Sequence, residues 1–252
     1  MRLARVAHAG GVAFASVDGD ELLEIADHPF GQPNYTGKRF SLADVRLLAP
    51  ILPSKVIAIG RNYAEHAAEF GNEVPESPMM FLKPSTSVIG PNAAIKLPAA
   101  SQRVDFEGEL AVVIGQPIRN VKAAQAPAAI LGYTIANDVS ARDLQKSDGQ
   151  WGRAKGFDTF CPLGPWIETA VDASDLAIRT EVDGELKQDS RTSLLIHKIP
   201  ELVEFVSGVM TLLPGDVILT GTPAGVGQIT DGQTVSITIE GIGTLTNPVQ
   251  NA

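Results

Sequence analysis

Val104-Asp105-Phe106-Glu107-Gly108-Glu109-Leu110-Ala111-Val112-Val113-Ile114 begins charged and ends apolar. Side chains alternate faces along a strand, so Asp105, Glu107 and Glu109 project from one face of this stretch and Phe106 and Leu110 from the other. Like charges at that spacing repel unless water or a cation lies between them. The run Ala111–Ile114 has no polar residue and reads as a strand buried on both faces. Three carboxylates at the mouth of a buried strand fit a hard-cation site, and oxygen-only donors favour Mg²⁺, Mn²⁺ or Ca²⁺ over zinc. An exposed acidic edge on an acidic protein accounts for the same segment equally well.

Working outward, strand patterns appear at Lys55–Ile59, Met79–Lys83, Thr134–Val139 and Asp216–Thr220. Asp-Gly pairs at 18–19, 183–184 and 231–232 each lie between strand-like runs and predict three hairpins. Residues 1–20 read as a strand and hairpin: His8 and Gly10-Gly11 break the apolar stretch, so no cleaved leader is expected. Helical patterns are fewer, at Asn62–Phe70, Ala123–Leu131, Ala141–Lys146 and Pro200–Leu213. The last has a broad apolar face of Leu202, Val203, Phe205, Val206, Val209 and Met210, with Pro200 in the first turn and Pro214-Gly215 as the stop. Strands outnumber helices and do not alternate with them, which argues against a TIM barrel or doubly wound sheet and for a mainly β (α+β) architecture. Phe40–Pro53 reads as a linker, dividing a small N-terminal β unit (1–53) from a larger domain (54–252).

The 252 residues suit one large domain, or one with an appendage; 44% apolar and 19% charged residues place the chain among globular proteins. The net charge of −9 leaves no basic footprint for a nucleic-acid backbone or an anionic membrane. The single cysteine, Cys161, excludes an internal disulfide framework and suits a reducing cytoplasm; between Phe160 and Pro162 it reads as a small core residue. No apolar run approaches the roughly 18 residues of a spanning helix.

Several other residues are of types that carry chemistry. Asp138 ends an apolar strand pattern, where it suits either a ligand or a cap. Arg142 and Gln145 share a face if a helix starts near Ser140; Arg142 then either forks onto a carboxylate or stays solvated. His66 and Glu69 stand three apart on a short helix, where a carboxylate can hold an imidazole in one tautomer, as a general base needs. A surface His beside a helical Glu is the plainer alternative. His8, His28 and His197 have no comparable partner nearby, and His197 reads as a packed residue. Lys83 and Lys155 flank apolar segments, where each suits an anionic substrate or a surface strand end. Gly221-Thr222-Pro223-Ala224-Gly225-Val226-Gly227 matches neither a Walker A loop nor GxGxxG, and reads as a tight turn carrying Thr222 toward a pocket. No GxSxG is present.

GRNYAEHAAEF (60–70), MMFLKPSTSVIGP (79–91), DFEGELAVVIG (105–115), YTIANDVSARDLQ (133–145), WGRAKGFDTFCPLGP (151–165) and ILTGTPAGVG (218–227) occur in one order. Together they resemble the fumarylacetoacetate hydrolase family in its short single-chain form, over roughly residues 54–248. The resemblance implies a mixed β-sandwich or β-roll, assembled as a homodimer. It implies a metal triad of Glu107, Glu109 and Asp138 holding Mg²⁺ or Mn²⁺, with Asp105 behind it. It further implies a His66–Glu69 dyad, a catalytic Lys155, and substrate contacts from Lys83, Arg142, Gln145 and Thr222. The reaction implied is C–C cleavage in a small anionic 2-oxo or 1,3-dicarbonyl acid, by acylpyruvate hydrolysis or oxaloacetate decarboxylation. Two alternatives stand beside it: a 2-hydroxyhepta-2,4-diene-1,7-dioate or 5-carboxymethyl-2-hydroxymuconate isomerase of aromatic catabolism, and a metal-binding regulatory scaffold without turnover. Gly71 and Pro75 predict a mobile lid over about His66 to Pro78.

Overall fold

The computed structural model describes residues 1–69 and 74–252. Its largest sheet orders ten strands as Tyr35–Ser41, Glu21–Ile25, Gly11–Asp18, Arg2–His8, Cys161–Glu168, Ile130–Asn137, Gly108–Ile114, Val217–Leu219, Val56–Gly60 and Met79–Lys83. Arg46–Leu47 joins it beside Arg2–His8, and Val88–Ile89 beside Cys161–Glu168. A second sheet runs Glu185–Arg191, Ala177–Val182, Thr234–Ile239, Gly243–Asn251 and Ile95–Leu97. Val104–Phe106 forms a third, small sheet with Ser140–Ala141 and Gly227–Gln228. The mainly β reading of the sequence holds.

The strand alternation sorts the core. Leu110, Val112, Ile114, Ile57 and Ile59 face the second sheet, meeting Ile178, Val235, Ile237 and Leu245, and the helix residues Leu202, Val203 and Val206. Ala111, Val113, Val56, Ala58, Val217 and Leu219 point the other way, onto Leu3, Ile25, Ala49, Ile51 and Leu163. The central strands are therefore dry on both sides, as their unbroken apolar runs require. Residues 1–50 extend the same sheet, and Ala49 and Ile51 pack into its core.

Two of the three Asp-Gly hairpins form: Gly11–Asp18 pairs with Glu21–Ile25, and Ala177–Val182 with Glu185–Arg191. The third does not. Gly227–Gln228 pairs with Val104–Phe106, while Thr234–Ile239 pairs with Ala177–Val182 and Gly243–Asn251, so Asp231-Gly232 turns the chain between sheets. The best sequence helix is found at Ile199–Val209. It stops before Pro214 because Leu212 exchanges two backbone hydrogen bonds with Ile118, which pulls Met210 into an extended conformation. Ala123–Ala129 is a 3₁₀ helix with Pro127 inside it; proline has no N–H to continue an α-helical ladder. Short helices at Ala64–Glu69 and Arg142–Asp148 stand where the sequence puts them.

Candidate active site

Strand register assembles the carboxylates. Gly108 lies opposite Asn137 in the antiparallel pair, which sets Glu107 beside Asp138 just beyond the strand ends. Asn137 accepts the Glu107 N–H at 2.9 Å, and the Asp138 N–H donates to the Glu107 carbonyl at 2.9 Å. Carboxylate oxygens of Glu107, Glu109 and Asp138 all come within 4.8 Å of one another, and all three residues are buried. Asp105 does not join them, contrary to the one-face reading of 105, 107 and 109. The chain leaves the small sheet at Phe106 and enters the large one at Gly108, and the break at Glu107 separates Asp105 from the others. Asp105 instead accepts from Arg103 and Arg142.

Three cations surround the trio. Lys155, buried on the short Gly152–Gly156 helix, donates to Glu107 at 2.5 Å and Asp138 at 2.7 Å. Lys83 ends the edge strand fully buried and donates to Asp138 at 2.5 Å and the Val139 carbonyl at 3.3 Å. Arg142 spans Asp105 (2.9 Å) and Glu107 (2.6 Å) and donates to the Gln145 side chain at 3.1 Å, the helical spacing expected of the pair. The surface-lysine alternative for Lys83 and Lys155 is thereby excluded.

The two glutamates differ electrostatically. Burial alone would raise Glu107, but Arg142, Lys155 and His66 outweigh it and hold the carboxyl well below its usual range. Glu109 is pushed well above that range by burial, then by Asp138 and Glu107. Its only hydrogen bond in the described residues comes from the Gly221 N–H at 2.6 Å. Gly221 sits at φ +105°, and a Cβ there would lie 2.7 Å from that of Asn62, so only glycine turns the chain to present this N–H. Lys155 is raised despite burial, because Asp138 and Glu107 favour its charged form.

His66 is buried on the Ala64–Glu69 helix with Nδ1 3.2 Å from Glu69 and Nε2 4.0 Å from Glu107. Glu69 also accepts the Gly225 N–H at 3.3 Å. The predicted dyad is therefore assembled against the carboxylates. The lid expected over 66–78 includes residues 70–73, which lie outside the described residues.

Thr222 lines the same cavity, but its hydroxyl is committed, donating to the Gly108 carbonyl at 2.9 Å and accepting from Gln188 at 2.8 Å. Gln188 went unread in the sequence. Its side chain also accepts the Gly108 N–H at 3.1 Å and donates to the Pro223 carbonyl at 2.8 Å, tying the glutamate segment to the glycine-rich turn. The strand ELKQDSR has one apolar residue, Leu186, and that residue is exposed, so nothing in the pattern marks Gln188 as the one buried position. Asn62 holds both backbone groups of His197 and the Thr220 carbonyl. Arg61, Arg103, Lys146 and Trp151 also line the cavity of about 400 Å³, and the sequence reading singled out none of them.

The family profile for the fumarylacetoacetate hydrolase C-terminal domain matches residues 55–250, and a Rv2993c-like N-terminal profile matches residues 1–50. The chain belongs to the fumarylacetoacetate hydrolase family. Its relatives include protein Rv2993c of Mycobacterium tuberculosis, 62% identical over 99% of this chain and 98% of that protein. A mitochondrial oxaloacetate tautomerase, fahd2 of Xenopus laevis, is 45% identical over 83% of this chain and 70% of its own length. Among solved structures, 5-carboxymethyl-2-hydroxymuconate delta-isomerase of Mycobacterium smegmatis superposes with a TM-score of 0.95 at 64% identity, covering both chains fully. Maleylpyruvate hydrolase of Sphingobium sp. SYK-6, solved with manganese(II) and pyruvate, superposes at 0.83 with 33% identity, again over both chains. The family's named members are thus isomerases, tautomerases and hydrolases. Among the described residues, no helix is long and apolar enough to cross a membrane.

Proposed function

We propose that the protein is a divalent-metal-dependent enzyme of 2-oxo acids, which cleaves the C–C bond of an acylpyruvate or of oxaloacetate. The observation that carries this reading is the buried trio Glu107, Glu109 and Asp138 with an oriented His66 at its side. The donor set fits a hard cation. It consists of oxygens alone, and Glu109 has carboxylates rather than a paired cation as its nearest charges. Glu107, Glu109 and Asp138 would hold Mg²⁺ or Mn²⁺, which when bound supplies Lewis-acid polarisation of the 2-oxo and carboxylate oxygens of the substrate.

The protein's own groups do the rest. Glu69 fixes His66 through Nδ1 and leaves Nε2 toward the cavity. In hydrolysis Nε2 takes the proton of a water that attacks the distal carbonyl. The bond from that carbon to the methylene then breaks, the acyl part leaves as a carboxylate, and the proton returns to the methylene carbon of the pyruvate enolate. In decarboxylation no water is consumed, and a proton is delivered to the carbon that has lost CO₂. Lys155 and Arg142 place positive charge beside the carboxylates, which offsets the acids where an anion would enter. Gln145 and Lys83 hold Arg142 and Asp138 in place.

A second reading, tautomerisation or isomerisation, has its own support. It needs only proton transfer by His66 at the carbon beside the 2-oxo group, and the relatives named tautomerase and isomerase are 45% and 64% identical, against 33% for the named hydrolase. A homodimer belongs to the same proposal and is checked by sedimentation.

Turnover is measured with Mg²⁺ and then with EDTA on acetylpyruvate, oxaloacetate and a 2-hydroxydienedioate, with an enzyme-free Mg²⁺ control for oxaloacetate. EDTA-sensitive formation of pyruvate from either of the first two supports cleavage. Enol–keto exchange without pyruvate, or conversion of the dienedioate alone, replaces it with the second reading. Metal binding without any turnover replaces both with a regulatory scaffold.

A further inference from the structure

Each of the three cations packed around the trio faces a carboxylate: Lys155 faces two, Lys83 faces Asp138, and Arg142 faces Asp105 and Glu107; Arg103, at the cavity wall, faces Asp105. Arg61 lines the same cavity and has neither an ion pair nor a hydrogen bond to its guanidinium among the described residues. Lys146, the other lining cation without a carboxylate partner there, is exposed, whereas Arg61 is half-buried. The backbone at Arg61 is also unusual, with φ at +56°, a conformation that side chains bearing a Cβ adopt at a cost.

That conformation is imposed from both sides. Gly60 lies against the Trp151 ring, 2.8 Å from where its Cβ would be, and Asn62 is fixed by three hydrogen bonds to His197 and Thr220. An arginine is thus held in strained backbone at the wall of an otherwise charge-balanced site. Its planar fork matches a carboxylate in two parallel hydrogen bonds.

We propose that Arg61 receives the second, distal carboxylate of the substrate, so that the site selects 2-oxo dicarboxylates over 2-oxo monocarboxylates of the same length. This rests on the 2-oxo acid reading above and names the substrate class within it. The pyruvyl end occupies the trio and its cations, and the far end reaches Arg61. A cavity of about 400 Å³ accommodates a five- or six-carbon diacid.

The test is calorimetric titration of the Mg²⁺-loaded protein with 2-oxoglutarate and 2-oxopentanoate, which differ only in a terminal carboxylate against a methyl. The wild type is expected to favour the diacid by roughly ten- to a hundredfold, the worth of a charge-assisted hydrogen-bonded pair. Arg61→Gln abolishes that preference and leaves monoacid affinity within about twofold of wild type. Arg61→Gly is the folding control. Glycine takes this φ freely, so the melting temperature holds while the diacid preference is lost. Equal binding of both probes by the wild type overturns the assignment and leaves the 2-oxo acid site standing. So does a loss that follows Lys146→Gln instead, or a fall in melting temperature with equal loss of both probes. Binding of neither probe to the metal-loaded wild type removes the 2-oxo acid reading itself, and Arg61's role with it.

Discussion

The large sheet carries ion pairs at its N-terminal edge and at its active-site end, in opposite settings. On the Tyr35–Ser41 strand every residue but Phe40 is exposed, and Arg39 pairs with Glu21 in solvent. At the other end Lys83, Lys155, Glu107 and Asp138 make the same kind of pair with almost no exposure. An edge strand gains solubility and protection against mispairing from such charges, and little stability. Buried charges lose their hydration, and a well-packed apolar replacement would often serve stability as well or better. A fold that buries four charges together therefore points to chemistry at that end and to surface upkeep at the other.

The sharpest way to break this contrast is Glu107→Ala with Glu109→Ala. If the buried acids serve chemistry, steady-state turnover falls roughly a thousandfold or more while circular dichroism shows a folded chain. Retained turnover would make the acidic trio mere structure.

Lys155→Met addresses the same network from the cationic side. It leaves Glu107 and Asp138 buried with one partner fewer, and denaturant unfolding is expected to show a loss of about 3–5 kcal/mol. Added Mg²⁺ should return part of that loss, because a cation in the trio supplies the missing positive charge. A variant as stable as wild type would show that the pair is already screened and would dissolve the contrast between the two ends.

Metal removal is the next step down. At a hundred times its dissociation constant, a cation bound only by the folded state adds about 2.7 kcal/mol. The melting temperature should therefore rise with Mg²⁺ and return to its starting point with EDTA. Arg39→Ala at the exposed edge should cost within about 0.5 kcal/mol, with the same melting curve as wild type at high salt.

How legible these two ends are in the sequence follows from the range of the interactions involved. Alternation and length place the strands around Gly108–Ile114 and Val56–Gly60, because burial on both faces leaves an apolar run that no other structure explains. The His66–Glu69 and Arg142–Gln145 pairs are local helical spacings and stand where spacing puts them. What assembles the site is long-range register: Gly108 opposite Asn137 brings Asp138 to Glu107, and no local pattern reveals which strands neighbour one another. The motif resemblance supplied that trio, whereas spacing alone favoured Asp105, which the structure hands to two arginines. Gln188 and Arg61 were invisible for the same reason. One is the single buried residue of a polar strand; the other gains its setting from a backbone twist that only Trp151, His197 and Thr220 impose.

The smallest expected effect lies within reach of the same charges. Cys161 is fully buried in the strand Cys161–Glu168, among groups that set its ionisation. Burial is the main influence; Lys83 pulls the thiol down while Asp138 and Glu109 push it up, and the result stands at about 12. The thiolate is the reactive form, so at pH 8 the native protein holds almost none of it, and a disulfide reagent has no path to the sulfur. Native protein should titrate essentially no thiol with such a reagent, and unfolding in guanidinium should release one equivalent. Rapid labelling of the native chain would mean that water and reagent reach the back of the carboxylate cluster. The charges there would then be solvated like those of Tyr35–Ser41, and the two ends of the sheet would differ in degree only.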